Sequence, residues 1–200
     1  RNNITQFVSA LYDSVQAVKP MLKVGSAPIG INKDLTSCLS GWDGYTQVYQ
    51  DAIRWLLLKK HDYHSPQVYW DINSCPRFDS LAQNWILNRA GRHIYTGIAA
   101  YRMGPNDGNW PASEILAQLD SSRAYEGQGQ VYFRTNSFRY NWKGIMDALK
   151  ANQYKYPANI PSMPWKDSTR ANSPVNFSIT TDDSLTYVLT WSKPEPAADG

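Results

Sequence analysis

Apolar residues recur along this chain at two different periods. Ile4, Val8, Leu11, Val15 and Val18 share one helical face, which predicts an amphipathic helix over about residues 3–18. Lys19-Pro20 ends it, because a residue before proline avoids the helical region. Met21 to Ala27 reads as a short buried strand, and residues 31–44 as polar and irregular. A helix over about 46–59 turns Val48, Ala52, Trp55 and Leu56 inward and closes on Lys59-Lys60, which suits the negative end of a helix. A strand of about 62–70 follows, then a helix of about 78–89 that uses Leu81, Trp85 and Leu87. Arg92 to Tyr101 is a strand whose Gly97, Ala99 and Ala100 fit a crowded interior. The turn-rich loop 104–109 leads into a helix from Pro111 to about Tyr125, built on Ile115, Leu116 and Leu119. Gln130 to Arg134 is the next strand, and about 141–151, with Ile145, Met146 and Leu149, the last helix.

Strands separated by helices pair in parallel through right-handed crossovers. The predicted fold class is therefore α/β. Four strands and their helices in about 150 residues amount to the C-terminal half of a (β/α)8 TIM barrel, strands 5–8, since a whole barrel takes about 250. This region, 1–153, is followed by a proline-rich wrap over 154–173 with Pro157, Pro161 and Pro164. From 174 the pattern alternates: Val175, Phe177 and Ile179, then Leu185, Tyr187, Leu189 and Trp191 beyond the turn 181–184. Two antiparallel strands with a core Trp predict the start of a fibronectin type III-like β-sandwich over 174–200, truncated.

Composition narrows the function. The net charge is +3 and the basic residues are scattered, so neither a nucleic-acid stripe nor a membrane-surface helix stands out. No apolar run approaches the roughly 20 residues of a membrane span. Cys38 and Cys75 fall in loops and read as unpaired thiols, with pairing in an oxidising compartment as the alternative. The chain opens at Arg1 directly into a helix, and reads as a piece of a longer polypeptide.

The chemistry concentrates at His61–Asp71. Strand alternation puts Gln67, Tyr69 and Asp71 on one face and His64, Val68 and Trp70 on the other. An amide, a phenol, an indole and a carboxylate at a strand end can hold a sugar ring. His61 and His64, three apart on a strand, point to opposite faces, and no Cys/His set has zinc spacing. Phosphate-loop and G-x-S-x-G motifs are lacking. Neither metal nor cofactor is expected.

The sequence also resembles the glycosyl hydrolase-like 10 family of TIM-barrel glycosidases over about residues 1–166. The resemblance is carried by Arg1-Asn2-Asn3-Ile4-Thr5-Gln6-Phe7-Val8, Lys19-Pro20, Asp62-Tyr63, Pro66-Gln67-Val68-Tyr69-Trp70 and Gly97-Ile98-Ala99-Ala100-Tyr101. It continues through Ser113-Glu114-Ile115, Gln118, Arg123, Val131-Tyr132-Phe133 and the Tyr154–Trp165 stretch. In that family a helix beginning like residues 1–8 follows barrel strand four, and an Asp-Asp-Tyr type segment suspected of catalysis lies just upstream. The resemblance therefore implies that this chain spans helix four to helix eight and that the main catalytic acids lie before Arg1. It also implies a polysaccharide substrate, with peptidoglycan glycan one candidate, and an extracytoplasmic location. The partner would be the N-terminal half of the barrel, or a second copy completing the sheet.

TIM-barrel active sites sit at the C-terminal strand ends. The candidates there are Ser26; Gln67, Tyr69, Trp70 and Asp71; Tyr101 and Arg102; and Arg134 and Asn136. Glycoside hydrolysis uses two carboxylates. Asp71 is the strand-end acid, read either as catalytic or as accepting N–H bonds in the next turn. Asp107 lies in a loop, and Glu114 in a first helical turn suits a capping or dipole partner. Gln67 and Tyr69 are read as pocket-lining, Trp70 as stacking on sugar or packing under a helix, and Arg102 and Arg134 as binding an acidic sugar or loop carbonyls. The rival to an enzyme is a non-catalytic glycan-binding or cell-surface scaffold protein.

Overall fold

A computed structural model describes residues 1–33, 42–181 and 185–196. The chain divides into two compact units, Arg1–Pro161 and Ser162–Gly200. Cys38 and most of the turn at 181–184 lie outside the described residues.

The first unit is built on a parallel sheet of β1 (Gly25–Ser26), β2 (Tyr63–His64), β3 (Gln67–Val68), β4 (His93–Ile98) and β5 (Gly129–Tyr132). β1 pairs with β2, β2 and β3 pair with β4, and β5 takes the other side of β4. The strand expected over 62–70 is present as two pieces in one register, with Tyr63 opposite His93 and Gln67 opposite Gly97. Pro66, which has no N–H, makes the interruption. Its carbonyl still accepts the Gly97 N–H at 2.9 Å, while the Ser65 N–H turns to Ser26 O at 2.8 Å. Gly97 has to be glycine here, since a Cβ would lie 2.5 Å from Pro66 O.

The helices are α1 (Asn2–Val18), α2 (Gly44–Gln47), α3 (Ala52–Leu57), α4 (Phe78–Leu87), α5 (Ala112–Ala124), α6 (Asn136–Arg139) and α7 (Ile145–Ala151). Trp55, Leu56, Leu81, Trp85, Ile86, Ile115, Leu119, Ile145 and Leu149 from α3, α4, α5 and α7 form one core with Val68, Ile94 and Ile98 of the sheet. Trp85 is locked into it by donating Nε1–H to Gly30 O at 2.7 Å.

Several elements differ from expectation. The apolar stripe of α1 is only partly covered: Val8 packs against the core, while Leu11 is 47% and Val18 78% exposed. Polar contacts hold the helix as well: Thr5 accepts the Trp55 indole N–H at 3.0 Å, and Tyr12 donates to Asp62 at 3.1 Å. Burial, and secondly Asp62, push the Tyr12 phenol up to about 12. Buried Asp62 also accepts the Val24 N–H at 2.8 Å, so one carboxylate joins helix, β1 and β2. The helix expected over 46–59 is split into α2 and α3. Asp43 caps α2 by accepting the Thr46 N–H at 2.7 Å, and Tyr49 turns into the left-handed region at φ 57, leaving Val48 exposed. Leu87 is exposed too, because Ile86 takes the buried position on α4. The last helix is shortened by α6 and a 3-10 turn over Trp142–Gly144.

Within the second unit, β6 (Val175–Thr181) and β7 (Tyr187–Ser192) form an antiparallel hairpin with Ile179 opposite Leu189 and Thr181 opposite Tyr187. Trp191, expected in a core, is 59% exposed.

Candidate functional site

Strand alternation and the shared register place Tyr69, Ala99 and Phe133 at one level, a residue beyond the paired row Val68, Ile98 and Tyr132. Ala99 is small, so the Tyr69 and Phe133 rings approach across it to 6.1 Å between centroids. Tyr101, in the 3-10 turn Ala100–Met103 after β4, completes the cluster at 6.0 Å from Tyr69 and 5.7 Å from Phe133, edge-on to both. Its N–H bonds Phe133 O at 2.8 Å, which ties the ends of β4 and β5. Burial, and secondly Tyr101, raise the Tyr69 phenol above its ordinary value. Phe133 is 52% exposed. The cluster thus joins two residues expected at the site with Phe133, which was not. The signal for Phe133 lay in its alternation with Val131, but using it required the register across β4.

Gln67 donates Nε2–H to Ala27 O at 2.9 Å, bridging the ends of β3 and the β1 loop. Trp70 packs against the hydrophobic core and over Gly30, where a Cβ would meet the indole at 2.9 Å. The Asp71 carboxylate accepts the Asn73 N–H at 2.8 Å, closing an Asx turn. Glu114 does not cap its own helix; its carboxylate accepts the Ile72 N–H at 2.9 Å.

Arg102 is held over the rings of Tyr101 and Trp110, 5.7 and 5.3 Å from their centroids. Arg134 and Asn136 are exposed after β5, Asn136 opening α6. Ser26 is turned away from the rim, its hydroxyl bonded to His64 Nδ1 at 3.0 Å. His61 and His64 do not point apart. Their rings stack with centroids 4.8 Å apart, because His61 precedes the two-residue strand β2 and escapes strand alternation. Burial pushes His61 down to about 4, with Asp62 opposing, and His64 to about 3 with His61 adding to the effect. Both are neutral structural groups near pH 7. Among the described residues there is no cluster of three His, Cys, Asp or Glu able to hold a metal ion, and no helix long and apolar enough to cross a membrane. Cys75 is disulfide-bonded, which corrects the reading of two unpaired thiols.

A parallel sheet with interleaved helices and an aromatic rim at its C-terminal strand ends fits part of a glycosidase-like barrel. The glycosyl hydrolase-like 10 family matches residues 1–112, and the chain belongs to it. It is 31% identical over 194 residues to "Glycosyl hydrolase YngK" of Bacillus subtilis (strain 168), covering 91% of this chain and 38% of that protein. It is also 31% identical over 150 residues to "Glycosyl hydrolase DigH" of Escherichia coli (strain K12), covering 67% of this chain and 34% of that protein. The chain spans little more than a third of these curated relatives.

Proposed function

We propose that the complete protein is a glycoside hydrolase acting on O-glycosidic bonds of a polysaccharide, with peptidoglycan glycan one candidate substrate. In this reading the chain supplies one wall of the glycan cleft: Tyr69, Tyr101 and Phe133 offer ring faces and edges, and Gln67, Arg134 and Asn136 offer polar contacts. The observation that carries it is the meeting of three aromatic rings at the ends of three neighbouring parallel strands. Arg102 and Trp70 support the wall from behind.

Asp71 alone does not make the carboxylate pair that glycoside hydrolysis uses, so the main acids are assigned to the rest of the complete protein. Its partner in this arrangement is the N-terminal half of a barrel, and the hairpin of the second unit begins a fibronectin type III-like module. The disulfide at Cys75 supports an extracytoplasmic location, where such bonds persist. A second reading, a non-catalytic glycan-binding scaffold, is favoured by the Asp71 carboxylate closing a local turn. Incubating the complete protein with solubilised glycans and measuring released reducing ends separates the two. Turnover supports the hydrolase; saturable binding without turnover supports the scaffold.

A further inference from the structure

Two side chains of α5 reach the segment that follows β3, and the glycan-wall reading uses neither. Gln118 is fully buried, and its Nε2 donates to Trp70 O at 3.2 Å and to Glu114 Oε1 at 2.7 Å. The same Glu114 oxygen accepts the Ile72 N–H at 2.9 Å. Trp70 C=O belongs to the peptide unit before Asp71, and Ile72 N–H to the one after it. Both peptide planes flanking Asp71 are therefore held by a single turn of α5, whose residues four apart lie on one face.

The two acceptors also fix which way round the Gln118 amide sits. Turned over, its carbonyl would face the Glu114 carboxylate and Trp70 O, with no donor between them. In the orientation observed, Gln118 Oε1 is buried with no hydrogen-bond partner. A surface connection could satisfy the same backbone groups with water. What the clamp adds is a fixed backbone on both sides of one strand-end residue. From the other side, Asp71 O accepts the Phe78 N–H at 3.1 Å and the Ser74 hydroxyl at 3.1 Å.

We infer that Glu114 and Gln118 are positioning residues for the strand-end rim, fixing Asp71 and the adjoining Tyr69 through the backbone from α5. The role rests on the glycan-wall reading for what is positioned; the clamp itself does not. It requires an acceptor at 114 and a donor at 118. Glu114→Gln keeps the acceptor oxygen and Glu114→Ala removes it. Gln118→Glu replaces the donor with a second carboxylate.

The test uses the complete protein, at temperatures where far-ultraviolet circular dichroism shows each variant folded. Exchange of the Ile72 amide reads the clamp, and affinity for solubilised peptidoglycan glycan strands reads the rim. Glu114→Ala and Gln118→Glu should speed Ile72 exchange and weaken affinity about tenfold, while Glu114→Gln stays near wild type in both. Faster Ile72 exchange with unchanged affinity would overturn the positioning role, as would Glu114→Gln behaving like Glu114→Ala. If the wild-type protein binds no glycan strand, the glycan reading and the role built on it fall together. Ile72 exchange and the Tyr69–Tyr101 ring contact, followed by nuclear magnetic resonance, then judge the clamp by itself.

Discussion

His61 and His64 stack face to face at 4.8 Å, flanked by the indoles of Trp55, 5.6 Å from His61, and Trp85, 5.9 Å from His64. The pair joins β2 to α3 and α4, and it is accommodated as two neutral rings. An unfolded histidine titrates near 6.5, whereas these are held down to about 4 and about 3. As pH falls below 6.5 the unfolded chain therefore takes up protons that the folded chain refuses. Stability from this source is complete above about pH 7 and is lost progressively on acidification from about pH 6.5 towards pH 4. Urea midpoints at pH 7.5 and 4.5 check this. His61→Phe, which keeps a stacking ring, should reduce the difference; an equal pH difference in wild type and variant would rule the histidines out as its source.

Gly97 offers a second, sharper test. A methyl group there would sit 2.5 Å from the Pro66 carbonyl, which is the acceptor that carries the ladder across the proline. Gly97→Ala should cost about 3 kcal/mol or more by parting β3 from β4. A neighbouring control, Ala99→Gly, should cost about 1 kcal/mol. Chemical denaturation of both variants would show it, and near-wild-type stability of Gly97→Ala would mean that the strands do not approach as described.

Disulfide-bonded Cys75 lies in the loop between β3 and α4. Its reduction should lower stability by about 2–4 kcal/mol. Thermal melts with and without reductant, compared with Cys75→Ser, measure this. A melting temperature indifferent to reductant would contradict it.

Expressed as these 200 residues, the chain exposes Phe7, Leu11 and Val18 on α1, and β1 and β5 each pair with one neighbour among the described strands. Apolar stripes and unpaired strand edges favour association. Sedimentation at micromolar concentration should find self-associated species. A well-folded monomer would count against this.

How much of this was legible beforehand follows from what each residue's pattern can encode. The order of strands and helices was readable because Leu81 and Trp85, and Ile115 and Leu119, are buried at helical spacing. The α1 stripe was readable as a stripe, but periodicity does not say how much of it meets the core; Val8 does, and Thr5 and Tyr12 add hydrogen bonds beside it. The histidine pair was misread because alternation applies only inside a strand, and β2 is two residues long. Phe133 joined Tyr69 only through registers across β4, which no local pattern carries. Glu114 looked like a helix-end acid until its bond to Ile72, 42 residues away in sequence, gave it a different task.

The rim formed by Tyr69, Tyr101 and Phe133 is proposed as the glycan-contacting wall of this family member. Calorimetric titration of solubilised peptidoglycan glycan strands into the complete protein tests it most directly, comparing wild type with Tyr101→Ala and Phe133→Ala. The rim predicts saturable binding that weakens about tenfold in each variant, since an aromatic contact of this kind contributes roughly 1–2 kcal/mol. Binding of equal strength in all three folded proteins would place the glycan elsewhere and rule the rim out.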